Sequence, residues 1–225
     1  MLSPPSRAPR AAPARGWSSL ARLYAIVDVE LCASAGRVPI DVVRGFLSAG
    51  VRLIQLRAKT WESGAFLDLA HAAVAEATAA GALIIVNDRA DVAAISCAQG
   101  LHVGQDDLGP SDARRVVGDA SCLGLSTHSE RQWTMALQAP VSYIAIGPVF
   151  GTGTKATGYQ PVGLDTVARV SAMAGDRVPV VAIGGITLER APSVIAAGAS
   201  SVAVISDLMV GSPEARARAF LQALA

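Results

Sequence analysis

The chain has 225 residues, 52% of them hydrophobic, 16% charged and only 4% aromatic, with a formal net charge of +1. That length suits one domain with a substantial core, and the near-neutral charge gives no basic field for nucleic acid or an anionic membrane surface. No apolar run approaches the ~20 residues that span a bilayer, so the mean hydropathy of +0.42 reports a packed core rich in Ala, Val, Leu and Ile.

Residues 1–21 stand apart. Pro4, Pro5, Pro9 and Pro13 alternate with Arg7, Arg10 and Arg15, and no acidic residue occurs. No apolar stretch follows the arginines, which argues against a secretory signal. The Arg- and Ser-rich composition is similar to that of an organellar transit peptide, but the prolines interrupt any amphipathic helix. The expectation is a disordered tail, followed by one folded domain over residues 22–225.

From there one pattern repeats: a short β-branched or apolar run, a polar loop, then an Ala-rich stretch of helical length. Strands are predicted at Leu23–Val27, Arg52–Leu56, Leu83–Val86, Leu101–Val103, Cys122–Leu125, Tyr143–Ile146, Val178–Ile183 and Ser201–Ile205. Helices are predicted at Pro39–Ala49, Glu62–Ala80, Ala90–Ala98, Ser111–Val117, Ser129–Ala139, Leu164–Ala172, Leu188–Ala197 and Pro213–Leu224. Gly50, Gly81, Gly100, Gly118 and Gly198 sit where left-handed helix caps belong. Eight βα units in about 200 residues predict an α/β fold, a closed (β/α)8 barrel of the TIM type. A doubly wound open sheet would use fewer strands, and the dinucleotide fingerprint is missing.

In such a barrel the active site lies at the C-terminal strand ends, and the notable polar residues fall there. The second strand runs into Gln55, Arg57 and Lys59, which share one face of an extended segment. An amide and two cations at a barrel mouth suit a polyanion. The third strand ends in Asn87-Asp88 and the fourth in Asp106-Asp107. Each aspartate alone reads as a helix N-cap. Together, beside the cationic face, they suit a hard cation such as Mg²⁺ held with phosphate oxygens; Asp107 is preferred over Asp106, though spacing excludes neither.

The fifth strand gives Ser126-Thr127-His128, where the hydroxyls fit a helix cap or a phosphate contact equally, and His128 has a reference pKa suited to a general base. His102, within an apolar strand, reads as a hydrogen-bonded core histidine, and His71 as a surface residue. After the sixth strand, Thr152, Gly153, Thr154 and Lys155 combine hydroxyls, an ammonium and close backbone approach, as an anion requires. The order is not that of a Walker loop. Gly184-Gly185 and Ile205-Ser206 end strands seven and eight, a common phosphate subsite in barrels, and Ser206–Met209 is long enough for an extra turn. Cys32, Cys97 and Cys122 lack metal-ligand spacing and read as small hydrophobes in a reducing cytosol.

Seven of these segments, QLRAK (Gln55–Lys59), NDRADVA (Asn87–Ala93), GLHVGQDDL (Gly100–Leu108), LGLSTHS (Leu123–Ser129), YIAIGPVFGTGTK (Tyr143–Lys155), AIGGI (Ala182–Ile186) and AVIS (Ala203–Ser206), resemble in order the thiamine phosphate synthase family. The resemblance implies a TIM-barrel transferase of thiamine biosynthesis. It would condense hydroxymethylpyrimidine diphosphate with thiazole phosphate, releasing pyrophosphate, with Mg²⁺ and small phosphorylated substrates but neither nucleic acid nor membrane as partners. It places Gln55, Arg57, Lys59, Asn87 and Ser126 on the pyrimidine diphosphate and Asp88 and Asp107 on the metal. Lys155 falls on the leaving pyrophosphate, with Arg57 and Ser126 sharing in catalysis. Thr152, Gly153, Thr154, Gly185, Ile205 and Ser206 fall on the thiazole phosphate. A homo-oligomer is compatible, because apolar helix positions serve core and interface alike.

The chain departs from the family pattern at Gln99, commonly acidic, at Gly151, frequently proline, and in the ATGYQPVG loop after Lys155. The first strand matches weakly. The related thiazole tautomerase, with a proton-transfer histidine near His128, is the nearest rival, but an isomerase needs no diphosphate-binding metal site. A non-catalytic regulatory barrel would require the site motifs to be gutted, and they are intact.

Overall fold

The computed structural model describes residues 20–151 and 158–225. Eight parallel strands close on themselves in chain order. They are β1 (Leu23–Asp28), β2 (Leu53–Arg57), β3 (Leu83–Asn87), β4 (Gly100–Val103), β5 (Cys122–Thr127), β6 (Tyr143–Ile146), β7 (Val180–Ile183) and β8 (Ser201–Val204). Closure comes from β1 pairing with β8, Leu23 opposite Val202. The outer ring comprises α1 (Val29–Ser34), α2 (Pro39–Ala49), α3 (Ser63–Ala80), α4 (Ala90–Ile95), α5 (Pro110–Val117), α6 (Glu130–Ala136), α7 (Gly163–Ala174), α8 (Ala191–Ala196) and α9 (Pro213–Ala223).

Alternation along each strand divides the apolar residues into two cores. Side chains such as Ala25, Ile54, Val86, Leu101, Ile144 and Val202 pack outward against Phe46, Phe66 and Phe220 of the helices. Burial of each such phenylalanine stabilises the layer by roughly 1.5–3 kcal/mol. The opposite face, with Tyr24, Ile26, Leu53, Ile85, Cys122, Tyr143, Val181 and Ala203, fills the barrel interior. Toward the C-terminal ends that inward set turns polar: Asp28, Gln55, Asn87 and His102 are all buried. The fold therefore delivers polar groups to one end.

Several local expectations change. The first strand extends through Asp28, whose carboxylate accepts from Leu31 N–H at 3.0 Å and caps α1, a helix the sequence pattern does not announce. Gly50 and Gly81 cap their helices in the left-handed region, and Gly198 also has positive φ. Gly100 does not cap a helix. α4 ends earlier, Cys97 takes the positive φ of 56°, and Gly100 opens β4, where an added Cβ would lie 2.4 Å from the Cys122 carbonyl oxygen. Of the proposed tail, only Leu20 and Ala21 belong to the described residues, and both pack against the interior core. The remainder of that expectation lies outside them. Among the described residues no helix is long and apolar enough to cross a membrane.

Candidate active site

A cavity of about 620 Å³ opens at the C-terminal mouth. Arg57, Lys59, Asn87, Asp88, Asp107, Ser126, Gly185, Ile205 and Ser206, all singled out from the sequence, line it. His102, Gln105, Asp106, His128, Tyr159, Arg190 and Asp207 are among its other polar lining residues. Thr152, Gly153, Thr154 and Lys155 lie outside the described residues. Gln55 lies outside the cavity lining, because its side chain, 3% exposed, turns into the barrel and donates to the Tyr24 hydroxyl at 2.8 Å.

On the β2–β5 side the geometry is set by charge pairing. Arg57 stands opposite Asp28 in the β1–β2 register and pairs with its carboxylate. That leaves the Arg57 Nε buried beside the cavity and, among the described residues, without a partner, a donor suited to an anion. The carboxylate of Glu30 accepts from Lys59 N–H at 2.8 Å and Thr60 N–H at 2.9 Å, pinning the loop after β2. Burial opposes ionisation of Glu30, but the bonds from Thr60 and Lys59 outweigh it and hold its pKa below the usual range. Neither Asp28 nor Glu30 stands out in the sequence, since their roles depend on which loops meet.

Neither Asp88 nor Asp107 is a helix cap. Arg89 occupies the N-cap position of α4 and Gly109 that of α5. Asp88 instead adopts a left-handed backbone, φ 64°, tolerated by aspartate, and its carboxyl meets both Lys59 and Asp107. Burial, and after it the neighbouring Asp107, raise the Asp88 pKa against the pull of Lys59. Burial also opposes ionisation of Asp107, yet its bond with Asp88 and the Gly104 N–H at 2.7 Å hold it below the usual range. Two carboxyls facing each other beside a cavity form a donor set that fits a small hard cation between them. Among the described residues no group of three or more His, Cys, Asp or Glu side chains gathers to hold a metal. Mg²⁺ would therefore complete its shell with water or ligand oxygens.

The hydroxyls of β5 separate cleanly. Thr127 is fully buried and donates to the Ala145 carbonyl at 2.9 Å, whereas Ser126 Oγ faces the cavity and bonds His102 Nε2 at 2.8 Å. The cap of α6 is Ser129, which receives Gln132 N–H at 3.4 Å. His102 is the hydrogen-bonded core histidine expected, with Nδ1 at 2.8 Å from Tyr143 Oη. His128 Nδ1 contacts the Gly147 carbonyl at 2.7 Å and its ring stacks on Tyr159 with centroids 4.1 Å apart. His71 is exposed on α3.

The β6–β8 side is built from main chain. Val149 N–H donates to the Ile183 carbonyl at 2.9 Å and Phe150 N–H to Gly184 at 3.0 Å, so the loop leaving β6 lies across the end of β7. An added Cβ on Gly184 would stand 2.5 Å from Pro148 Cα, and one on Gly185 2.5 Å from the Gly151 carbonyl oxygen. Glycine is required there for close approach. The turn expected after β8 forms as a 3-10 helix at Ser206–Met209. Asp207 secures it by accepting from Leu188 N–H at 3.0 Å and from Arg216 Nη2 at 2.7 Å.

Comparison with known proteins agrees with this architecture. The profile of the thiamine monophosphate synthase family matches residues 23–208. A thiamine-phosphate synthase of Koribacter versatilis is 43% identical over 91% of this chain and 96% of its own. Another, from Chlorobium luteolum, is 41% identical over 81% and 86% respectively. The solved thiamine phosphate pyrophosphorylase of Pyrococcus furiosus superposes with a TM-score of 0.81 at 26% identity, covering 90% of this chain and 95% of that one.

Proposed function

This chain belongs to the thiamine monophosphate synthase family, and from that premise we propose that it joins 4-amino-2-methyl-5-hydroxymethylpyrimidine diphosphate to thiazole phosphate, giving thiamine phosphate and pyrophosphate. The observation that carries this reading is the meeting of Asp88 with Asp107, beside Lys59, Arg57 and Ser126, across a cavity from Gly185, Ile205 and Ser206. One side suits a diphosphate with its cation, the other a second phosphate.

In the proposed reaction the bond between the pyrimidine methylene and the diphosphate oxygen breaks, both electrons leaving with oxygen. The thiazole nitrogen then gives its lone pair to the methylene carbocation, forming the C–N bond. Mg²⁺, when bound by Asp88 and Asp107, would supply positive charge against the departing oxygens. Arg57, Lys59 and Lys155 add cationic charge there, and Ser126 donates a hydroxyl. Asn87 orients the pyrimidine, while Gln55, expected there from the sequence, lies beneath the cavity and acts through the Tyr24 hydroxyl it bonds. Thr152, Gly153, Thr154, Gly185, Ile205 and Ser206 hold the thiazole phosphate. No protein nucleophile is required, so acceleration comes from positioning and preorganised charge.

The test is thiamine phosphate formation from the two substrates with Mg²⁺ and with EDTA. Metal-dependent product, lost in Asp88→Ala, is expected. Folded protein that binds both substrates and forms no product would sink the proposal.

A further inference from the structure

A chain of hydrogen bonds crosses the barrel interior beneath the cavity. Gln55 Nε2 donates to Tyr24 Oη at 2.8 Å, and Tyr24 Oη lies 2.9 Å from Tyr143 Oη. Tyr143 Oη is 2.8 Å from His102 Nδ1, and His102 Nε2 is 2.8 Å from Ser126 Oγ. The two phenol rings meet edge to face, and the Tyr143 ring occupies the space above Gly124, where a Cβ would come within 2.1 Å of its Cζ. Neither tyrosine reaches solvent, and burial, the leading cause in both, raises their pKa values far above the usual phenol range. Each therefore keeps one proton to place.

We propose that this chain is a one-directional relay, in which Gln55, Tyr24 and Tyr143 are positioning residues that hold the His102 proton on Nε2 and so turn the Ser126 hydroxyl proton into the cavity. The direction follows from counting donors. The Gln55 amide nitrogen can only donate, so Tyr24 accepts there and its own proton goes to Tyr143. Tyr143, already accepting, sends its proton to His102 Nδ1. Nδ1 is then the acceptor of the ring and Nε2 the donor, pointing at Ser126 Oγ. With its oxygen accepting from His102, Ser126 presents O–H to the ligand. The reverse order would leave the Tyr24 proton buried with no acceptor and would face an anion with a serine lone pair. The relay thus sets the sign of a contact whose residue type alone permits either.

The inference rests on the synthase reading for what Ser126 faces, but the proton's position can be read without substrate or turnover. The first measurement is therefore ¹⁵N NMR of histidine-labelled, substrate-free enzyme, with His102 assigned against His71→Gln and His128→Gln. We expect a bare Nδ1 and a protonated Nε2. A proton on Nδ1, or on both nitrogens, overturns the proposal whatever the enzyme's activity. Gln55→Glu replaces the donor with an acceptor at nearly constant shape. It should invert the relay, moving the proton to Nδ1; a folded variant with an unchanged tautomer overturns the proposal. Tyr143→Phe keeps the ring and removes the link, and should lower kcat by about 10–100-fold, the range for lost orienting partners, with a smaller change in KM for the diphosphate. Unchanged kcat in folded Tyr143→Phe also overturns it.

Discussion

Between β2 and β5 the barrel mouth presents side chains: Arg57 paired with Asp28, Lys59 with Asp88, Asp88 with Asp107, and Ser126 with His102. Between β6 and β8 it presents main chain, with the Pro148–Phe150 segment laid on the Gly184–Gly185 turn and the 3-10 helix anchored through Asp207. The first half gains its specificity from charge, which tolerates small shifts of backbone but not a change of residue type. The second depends on how closely two backbones approach, which tolerates changes in neighbouring side chains but not an added Cβ. The proposed pair of ligands, a diphosphate with its cation and a smaller phosphate, would give a barrel reason to use both. Side chains can converge from several strands on a large anion, while amides at strand ends can surround a single phosphate group.

The largest expected effect breaks the charged half. Asp107→Asn preserves shape and removes one of the two anions at the proposed cation site. Steady-state assays should show kcat lowered by about 10²–10³, the scale of a lost preorganised electrostatic contact, with a higher Mg²⁺ concentration needed for half-maximal rate. The KM for thiazole phosphate should move little. A parallel rise in both KM values would erase the distinction between the two sides.

Gly184→Ala attacks the other half. Its φ of 103° disfavours a side chain, and the new Cβ would press on Pro148. Strain and overpacking together predict a loss of about 2–4 kcal/mol, read as a lower denaturant midpoint. In the protein that remains folded, KM for thiazole phosphate should rise more than KM for the diphosphate. An alanine variant with unchanged stability would show that the β6 loop does not rest on this turn.

How far each half was legible follows the same division. Charge at strand ends is readable one strand at a time: Gln55, Arg57 and Lys59 announce a shared face by alternation alone, and Asp88 and Asp107 are visible beside their strands. What they pair with is not. Asp88 and Asp107 could each have capped a helix until the register of β3 and β4 brought their carboxyls together. The Tyr24–Tyr143 bond joins residues 119 apart on strands β1 and β6, and each tyrosine sits in an apolar run that gives no sign of the other. In the main-chain half, Gly184-Gly185 is legible as the end of strand seven and a phosphate subsite, but the identity of the segment lying across it required the three-dimensional path of the β6 loop.

Asp207→Asn tests the anchor of the 3-10 turn after β8. The amide keeps an acceptor for Leu188 N–H and loses the charge facing Arg216, a pair about four-fifths removed from solvent on both sides. A loss of about 1–3 kcal/mol is expected, with kcat nearly unchanged, because the substitution weakens support without adding bulk at the turn. A large fall in kcat at preserved stability would place Asp207 in the chemistry.

The smallest effect is expected at Gln99, where the sequence departs from the acidic residue that the family resemblance implies. Gln99 immediately precedes β4, so it lies at the N-terminal rim, opposite the cavity. Its Oε1 accepts from Ile84 N–H at 2.9 Å and its carbonyl from Cys122 N–H at 2.9 Å, tying β3, β4 and β5 together at their starts. A glutamate there keeps the acceptor and makes that bond charge-assisted, while the amide nitrogen it removes has no partner among the described residues. Because the Ile84 bond is retained, Gln99→Glu should alter stability by no more than about 0.5 kcal/mol, as is usual for a substitution that breaks no packing or pairing, and leave kcat and both KM values as they were. Conservation of function across this exchange is what a barrel predicts when chemistry sits at one end and support at the other. A several-fold change in kcat would mean that the lower rim reaches the mouth, through β4 and His102, and that the two ends are not independent.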